Sequence, residues 1–330
     1  MNSPKVTVLT AVRNGQRSLG ETMNCIRAQT LVDWEYIIVD DASSDQTVEL
    51  IETAAQSDHR IRLIPRACAG GPYTAANDGL REARGKYIVR IDADDLAPPE
   101  RIQVQVEFLE HNARYRACVT FWQGFDEHGL IPGSVTPVPL SSVVFRWYLL
   151  LRSPSLHSAV CYERSLMEEL GGYRELPLSQ DYRLWCELTR RDVLGVIPRV
   201  LCYVRSHPDR ESLTKRALQR SLALDILGEH LFALTGEVWS QEDLEALWAV
   251  GHSEALSVSK GFQMLDRWET LWQKVNDLSA ADRMELTKLS AMRRWKHLRA
   301  NVRRQPLAAA LHYVKGISKT TMNHPWAIVS

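Results

Sequence analysis

Three carboxylates, Asp92, Asp94 and Asp95, fall within four positions directly after the strand-like run Lys86-Tyr87-Ile88-Val89-Arg90. A strand ending in carboxylates is badly suited to a core and well suited to a divalent cation. Hard ions such as Mg²⁺ and Mn²⁺ take oxygen ligands, usually one or two protein carboxylates completed by substrate phosphates. The competing reading, a solvated acidic turn, is tested by the other residues capable of chemistry. Asp41 ends a second apolar run, Glu35-Tyr36-Ile37-Ile38-Val39. An ionised carboxylate only accepts hydrogen bonds, so Asp41 can receive the N–H of a ligand or cap the turn Asp41-Ala42-Ser43-Ser44-Asp45. Asp181 precedes the helical pattern Tyr182 to Arg191. It can cap that helix, and a helix N-terminus also favours the ionised form that a general base requires. His207 closes Tyr203-Val204-Arg205-Ser206-His207; neutral imidazole ligates a metal, and imidazolium pairs with phosphate.

The elements that must position these groups alternate through the first half of the chain. Val6 to Thr10, Glu35 to Val39, Ile61 to Ile64 and Tyr87 to Ile91 read as strands. Between them, Ser18-Leu19-Gly20-Glu21 matches a capping box opening a helix to about Gln29, and Asp45 is placed to cap a helix carrying Val48, Ile51 and Ala55. A third helix follows Gly70-Gly71-Pro72, over roughly 74–83, and Pro98-Pro99-Glu100 opens a fourth. Near-continuous apolar strands alternating with helices predict a mostly parallel sheet covered on both faces. Ligands of such sheets sit beyond the carboxyl ends of the strands, at a topological switch point. Asn14, Asp41 and Asp94 all fall just past strand ends, where one crevice can collect them. From about Ala117 to Val204 short strands mix with helices, including apolar Val143 to Leu151. Beyond about Ser212 only helical patterns follow, to about Ile317.

The 330 residues suffice for a large domain and a smaller appendage, divided here as 1–211 and 212–330. Forty basic and forty acidic side chains cancel, which gives no reason to expect nucleic acid. No apolar run approaches the roughly 18–20 residues that span a bilayer, and no charged apolar leader opens the chain. Six scattered cysteines without C-x-x-C spacing read as reduced, mostly buried thiols of a cytoplasmic protein rather than a zinc site.

Six ordered segments together resemble the GT-A fold glycosyltransferases of family 2, over roughly residues 4–208. They are Thr10-Ala11-Val12-Arg13-Asn14-Gly15; Gln29-Thr30 before Trp34 to Asp45; Ala76-Asn77-Asp78-Gly79-Leu80 leading through Ala83-Arg84-Gly85-Lys86-Tyr87; Ile91 to Asp95; Gly171-Gly172-Tyr173 with Ser179-Gln180-Asp181-Tyr182-Arg183-Leu184-Trp185; and Tyr203 to His207. The resemblance implies an α/β GT-A fold and inverting transfer of a sugar from a nucleotide donor, UDP favoured, to a hydroxyl of a glycan or lipid-linked acceptor, in surface polysaccharide or glycoconjugate synthesis. It implies Asp181 as catalytic base, and Ala11, Arg13, Asn14, Asp41 (on a uracil edge), Asn77, Asp92 and Arg205 around the nucleotide sugar. Asp94 and His207 are implied as ligands of Mn²⁺ or Mg²⁺, with His207 alternatively on the diphosphate. Arg205 is either a second diphosphate contact or the partner of a carboxylate of the fold, and Asp95 is left to cap the following segment. Three positions depart from the pattern: Arg13 replaces an aromatic residue, Ala76 an arginine and Gln180 a glutamate. The alternatives are a sugar nucleotidyltransferase, which would need a glycine-rich phosphate loop that Thr10 to Gly15 lacks, and a catalytically silent glycan-binding protein of the same fold.

The region after 212 lies outside the resemblance. No acidic residue follows Glu285, whereas Lys288, Arg293, Arg294, Lys296, Arg299, Arg303, Arg304, Lys315 and Lys319 are basic, with Trp295, Leu298 and Val302 interleaved. This is the pattern of an amphipathic basic helix on an anionic membrane surface, here the inner face, through 288–319. A solvated face closing the helical bundle, or an acidic protein partner, would produce the same pattern.

Overall fold

A computed structural model describes residues 3–206, 215–275 and 278–301. Within it the chain divides into two compact units, Met1–Ser142 with Pro154–Leu222, and Val143–Ser153 with the chain from Ala223 onward.

The first unit alternates β1 (Val6–Val12), α1 (Leu19–Arg27), β2 (Trp34–Asp40), α2 (Thr47–Ser57), β3 (Ile61–Pro65), α3 (Pro72–Glu82), β4 (Tyr87–Arg90) and α4 (Arg101–His111). β5 (Ala117–Asp126) and β6 (Gly129–Leu130) follow; then, after α5 (Ser142–Tyr148), come β7 (Val160–Glu163), α6 (Arg164–Leu170), α7 (Gln180–Arg190) and β8 (Leu194–Arg205). The sheet order is β3-β2-β1-β4-β7-β5-β6, with β8 beside β5. β1, β2, β3 and β4 run parallel, and β7 then pairs antiparallel with both β4 and β5. β1, β2 and β4 are buried at almost every position, which explains their lack of polar alternation. The chain steps from β1 through β2 to β3 and returns to the other side of β1 with β4, so a switch point lies at the carboxyl ends of β1, β2 and β4.

Two local expectations change. Ser18 sits at the start of α1 but makes no side-chain cap bond; the Glu21 N–H donates to the Ser18 carbonyl at 3.0 Å, and the Glu21 side chain, instead of reaching back to Ser18, pairs with Arg205 at 2.7 Å. Asp45 caps α2 from one position further out, accepting the Thr47 N–H at 3.0 Å and, through its second oxygen, the Gln16 N–H at 3.2 Å.

The second unit packs the apolar run 143–151 into a helical core. Trp147, Leu150 and Leu151 bury against Leu227, Leu247, Leu265, Trp268 and Leu286, and the Trp268 indole donates to the Trp147 carbonyl at 3.0 Å. Each such side chain contributes about 1.5–3 kcal/mol of burial. The helices are α8 (Arg216–Thr235), α9 (Gln241–His252), α10 (Val258–Gln273) and α11 (Ala280–Asn301). α9 and α10 start on Ser240 and Ser257, whose hydroxyls accept from Asp243 N and Lys260 N. The expected basic stripe on α11 is divided: Arg293 is buried, Leu298 is nearly so, and Arg294 pairs with Asp266 and Glu269. Met284, Lys288, Met292, Trp295, Lys296 and Arg299 remain on the outside. Residues 302–319 of that stripe lie outside the described residues. No helix among the described residues is long and apolar enough to cross a membrane.

Candidate active site

Backbone conformation marks the crevice before any side chain does. Asn14, Ala42 and Ser179 adopt left-handed φ values of 56°, 57° and 63°. Such residues cost roughly 1–3 kcal/mol and persist where surrounding structure over-determines them, commonly at functional sites. Here the β1 and β2 loops lock together: Asn14 N–H donates to Ser43 Oγ at 2.8 Å, and Asn14 Oδ1 accepts from Ser44 N–H at 2.9 Å. Ala11 is half-buried at the end of β1, and Arg13 points to solvent. Asp41 is buried, and its backbone N–H donates to the Val12 carbonyl at 2.8 Å. Its Oδ1 accepts from Arg66 and from Gly70 N–H at 2.9 Å, and its Oδ2 accepts from Gly71 N–H at 2.9 Å. Asp41 therefore closes on the loop before α3 rather than on its own turn.

The acidic loop after β4 is held from three sides. Thr22 of α1 donates its hydroxyl to the carbonyls of Ala93 (3.0 Å) and Asp95 (2.9 Å), while Asp92 N–H donates to Ser158 Oγ at 2.9 Å. Arg205, at the end of β8, donates its backbone N–H to the Asp95 carboxylate and its Nε to the Asp94 carbonyl, both at 3.0 Å. With Glu21 on its far nitrogen, Arg205 is the partner of the fold's own carboxylates that one of its two sequence readings described. Asp95 is buried; burial, then the Asp94 and Asp92 charges, push its carboxyl up. Asp92 and Asp94 are the outward members of the trio.

Asp181 enters from a different element. Ser179 turns the chain into α7, and Asp181, its second residue, accepts the Tyr182 N–H at 2.7 Å. Burial is the larger cause and the facing Asp92 charge a smaller one in raising its carboxyl to about 6, against the opposing Tyr182 N–H. Asp92 and Asp181 thus share one crevice.

Asn77 is engaged with the backbone of a distant loop. Its amide donates to the Tyr173 carbonyl at 2.9 Å and accepts the Tyr173 N–H at 2.8 Å. Gly172, at φ 81°, presses against that amide so closely that a Cβ would lie 2.6 Å from Asn77 Oδ1. Asn77 clamps the loop leading to Asp181. His207 lies outside the described residues.

Sequence reading missed the layer beneath the crevice. Arg90 is buried in β4, reaches toward Asp92 at 3.7 Å and lies 5.9 Å from the centre of the Tyr173 ring. Tyr173 shares a 2.9 Å hydrogen bond with Tyr162, and the His157 ring stands edge-on to it at 5.2 Å. Burial and the Arg90 charge push His157 well down, so it is neutral. A lone arginine inside an apolar strand was the available signal.

A model of the family described as glycosyl transferase family 2 matches residues 7–167. EpsE of Bacillus subtilis, named as a glycosyltransferase, is 32% identical over 234 residues, 69% of this chain and 82% of that protein. The chain belongs to glycosyltransferase family 2. An uncharacterized glycosyltransferase of Haemophilus influenzae is 26% identical to this family 2 glycosyltransferase over 80% of its length and 84% of the relative's. Among solved structures, S. aureus TarS 1–349 in complex with UDP aligns over 92% of both chains, with a TM-score of 0.57 and 16% identity. Mannosyltransferase PcManGT from Pyrobaculum calidifontis, in complex with GDP-Man and Mn²⁺, aligns over 94% of this chain and 87% of its own, with a TM-score of 0.56 and 18% identity. These likenesses show the GT-A fold, and they extend over the helical region as well as the sheet.

The donor set suits a divalent cation of the open type. No group of three or more His, Cys, Asp or Glu side chains forms a closed cage among the described residues. Asp92 and Asp94 would supply the one or two carboxylates that substrate phosphates complete around such an ion. The repulsion from Asp94 and Asp92 that adds to burial in raising Asp95 is what a bound cation would relieve.

Proposed function

We propose that this glycosyltransferase transfers a sugar with inversion from a UDP donor to an acceptor hydroxyl of a glycan or lipid-linked glycan. The observation that carries the reading is the meeting of Asp181, raised to about 6, with the Asp92 to Asp94 loop in one crevice. A base whose pKa lies near the working pH is ionised yet still takes a proton effectively. Asp181 accepts the acceptor hydroxyl's proton while that oxygen bonds to the anomeric carbon and the bond from that carbon to the diphosphate oxygen breaks. When bound at Asp94 and Asp92, Mn²⁺ or Mg²⁺ supplies countercharge to the departing diphosphate. His207 completes the metal or diphosphate contacts from beyond Ser206.

UDP is favoured because Asp41, with about four acceptor sites as a carboxylate and three filled, keeps room on Oδ2 for one ligand N–H. The TarS complexes with UDP and UDP-GlcNAc lend the same support. Ala11, Arg13 and Asn14 border the nucleotide in this reading, while Asn77 and Arg205 act by holding the loops that carry Asp181 and Asp94. The helical region presents the acceptor, and the outer face of α11, with Trp295 between Lys288 and Arg299, touches an anionic membrane at the cytoplasmic side. Salt-sensitive sedimentation with anionic vesicles, lost in the double variant Lys288→Gln/Arg299→Gln, reads that contact; salt-insensitive or absent binding removes it.

A panel of labelled nucleotide sugars, with Mn²⁺ and with chelator, tests the transfer itself. Turnover of a UDP-sugar that collapses without metal is expected. Pyrophosphate release from a nucleoside triphosphate and a sugar phosphate would replace this reading with nucleotidyl transfer, and inertness to every donor would replace it with a silent binder.

A further inference from the structure

Some cations of the helical unit are paired with carboxylates. Arg294 meets Asp266 and Glu269 at 2.8 and 3.0 Å, and Lys260 and Arg267 share Asp243 at 2.7 and 2.8 Å. A buried group among the described residues departs from that pattern. Arg293, in the middle of α11, is 2% exposed; it donates to the Gly251 carbonyl at 2.9 Å and to the Tyr148 hydroxyl, and its guanidinium lies 5.2 Å from the Tyr148 ring centre. Among the described residues no carboxylate forms an ion pair with it, and its buried Nε finds no acceptor. Gly251 touches the Leu151 backbone so closely that any Cβ would collide with it. The 148–152 segment, the end of α9 and the middle of α11 therefore converge at Gly251. This brings Arg152, next to Leu151, beside Arg293, with Lys296 one turn further along α11.

Among the described residues neither the half-buried Arg152 guanidinium nor the Lys296 ammonium has a hydrogen-bonding or ion-pair partner. Their fields report the same closeness. Burial and then Arg293 push Arg152 down, and burial, Arg293 and Arg152 do the same to Lys296. His252, stacked on Trp248 with ring centres 3.7 Å apart, falls to about 4 under burial, Arg152 and Arg293, with Glu254 opposing. Arg293 is buried, Arg152 half-buried and Lys296 at the surface, and like charges gathered in this way, with no ion pair to a carboxylate among the described residues, are costly to a fold. Arginine and lysine together are the usual means of recognising phosphate.

We propose that Arg152, Arg293 and Lys296 form a binding site for a phosphate group, carried either by a phospholipid headgroup or by a soluble phosphorylated glycan. Arg152 and Lys296 reach the anion, and Arg293 supplies fixed charge behind them. The site is independent of the crevice and of the transfer reaction.

The test uses the full chain and inorganic phosphate. Thermal melts in sodium chloride and in sodium phosphate at equal ionic strength should show phosphate raising the wild-type midpoint by several degrees. Arg152→Gln, which removes a like charge and no hydrogen bond, should melt at or above wild type in chloride and lose most of the phosphate gain. Its phosphate Kd should weaken about tenfold, the effect of removing one charge-assisted contact, while UDP–Mn²⁺ affinity stays unchanged. An equal phosphate gain in wild type and in the double variant Arg152→Gln/Lys296→Gln overturns the proposal. So does Arg152→Gln melting below wild type by the same amount in both salts, which would mark a packing role. Glycerol phosphate in solution and phosphatidylglycerol vesicles distinguish the sources. Binding lost by the variant only on vesicles assigns a lipid headgroup, binding lost only in solution assigns a soluble phosphate, and no loss in either contradicts the site.

Discussion

The crevice of the sheet unit and the cation cluster of the helical unit both gather like charges, yet they differ in the freedom left to those charges. Asp92, Asp94 and Asp95 ride on a loop tied down by Thr22, Ser158 and Arg205, and Asp181 faces them from a separate helix. Four carboxylates from two elements, one of them raised to about 6, can move a proton and hold a cation. Arg152, Arg293 and Lys296 are cations gathered from two elements, suited to holding an anion rather than to accepting a substrate proton. Glu35 shows the third possibility. It is a buried carboxylate satisfied by Thr7, Arg62 and Arg84, whose hydrogen bonds outweigh burial and hold it below the usual range. A carboxylate so fully answered by its own chain is structural. The contrast separates groups that hold the fold together from groups proposed to bind a ligand.

The largest effect expected from disturbing that contrast is at the metal loop. Asp94→Ala removes the proposed direct ligand, and a cation's countercharge contributes several kcal/mol to a departing diphosphate. Turnover should fall by about three orders of magnitude or more, and calorimetry with UDP and Mn²⁺ should show weakened binding; unchanged affinity would move the ligand elsewhere in the loop. Asn77→Ala should cost less, about tenfold in kcat with donor Kd unchanged, because it frees the Gly172-Tyr173 loop without touching substrate. A rise in Kd with kcat preserved would return Asn77 to the donor site. The smallest effect is on stability. Asp181 titrates near 4 when unfolded and about 6 when folded, so its neutral form stabilises the fold below about pH 4, and that contribution is lost as pH rises through 6. Metal-free Asp181→Asn should therefore melt above wild type at pH 7, with the difference vanishing near pH 4. A constant difference across that range would mean that burial does not perturb Asp181.

The parallel strands and the loops after them were legible because burial on both faces leaves apolar runs, and because carboxylates at strand ends have few structural uses. Other residues were not legible, since their partners lie far away in sequence. Glu21 matches a capping box, but Arg205, 184 positions away, supplies a stronger bond. Asn77 reads as a ligand contact, and its bonds to the Tyr173 backbone, 96 positions away, are invisible in the sequence. Arg293 and Arg294 read as a membrane-facing pair, yet the core and Asp266 claim them. Nothing local in Val143 to Leu151 reveals that this run joins helices beginning some seventy residues later.

The central claim is that Asp181 is the base of the transfer. Asp181→Asn keeps the shape and the Tyr182 N–H bond but cannot accept a proton. Measured side by side with its natural acceptor and a UDP-sugar donor, the variant should lose about 10²–10⁴-fold in kcat while binding UDP–Mn²⁺ as tightly as wild type. Full turnover by Asp181→Asn with an intact donor site would contradict the claim.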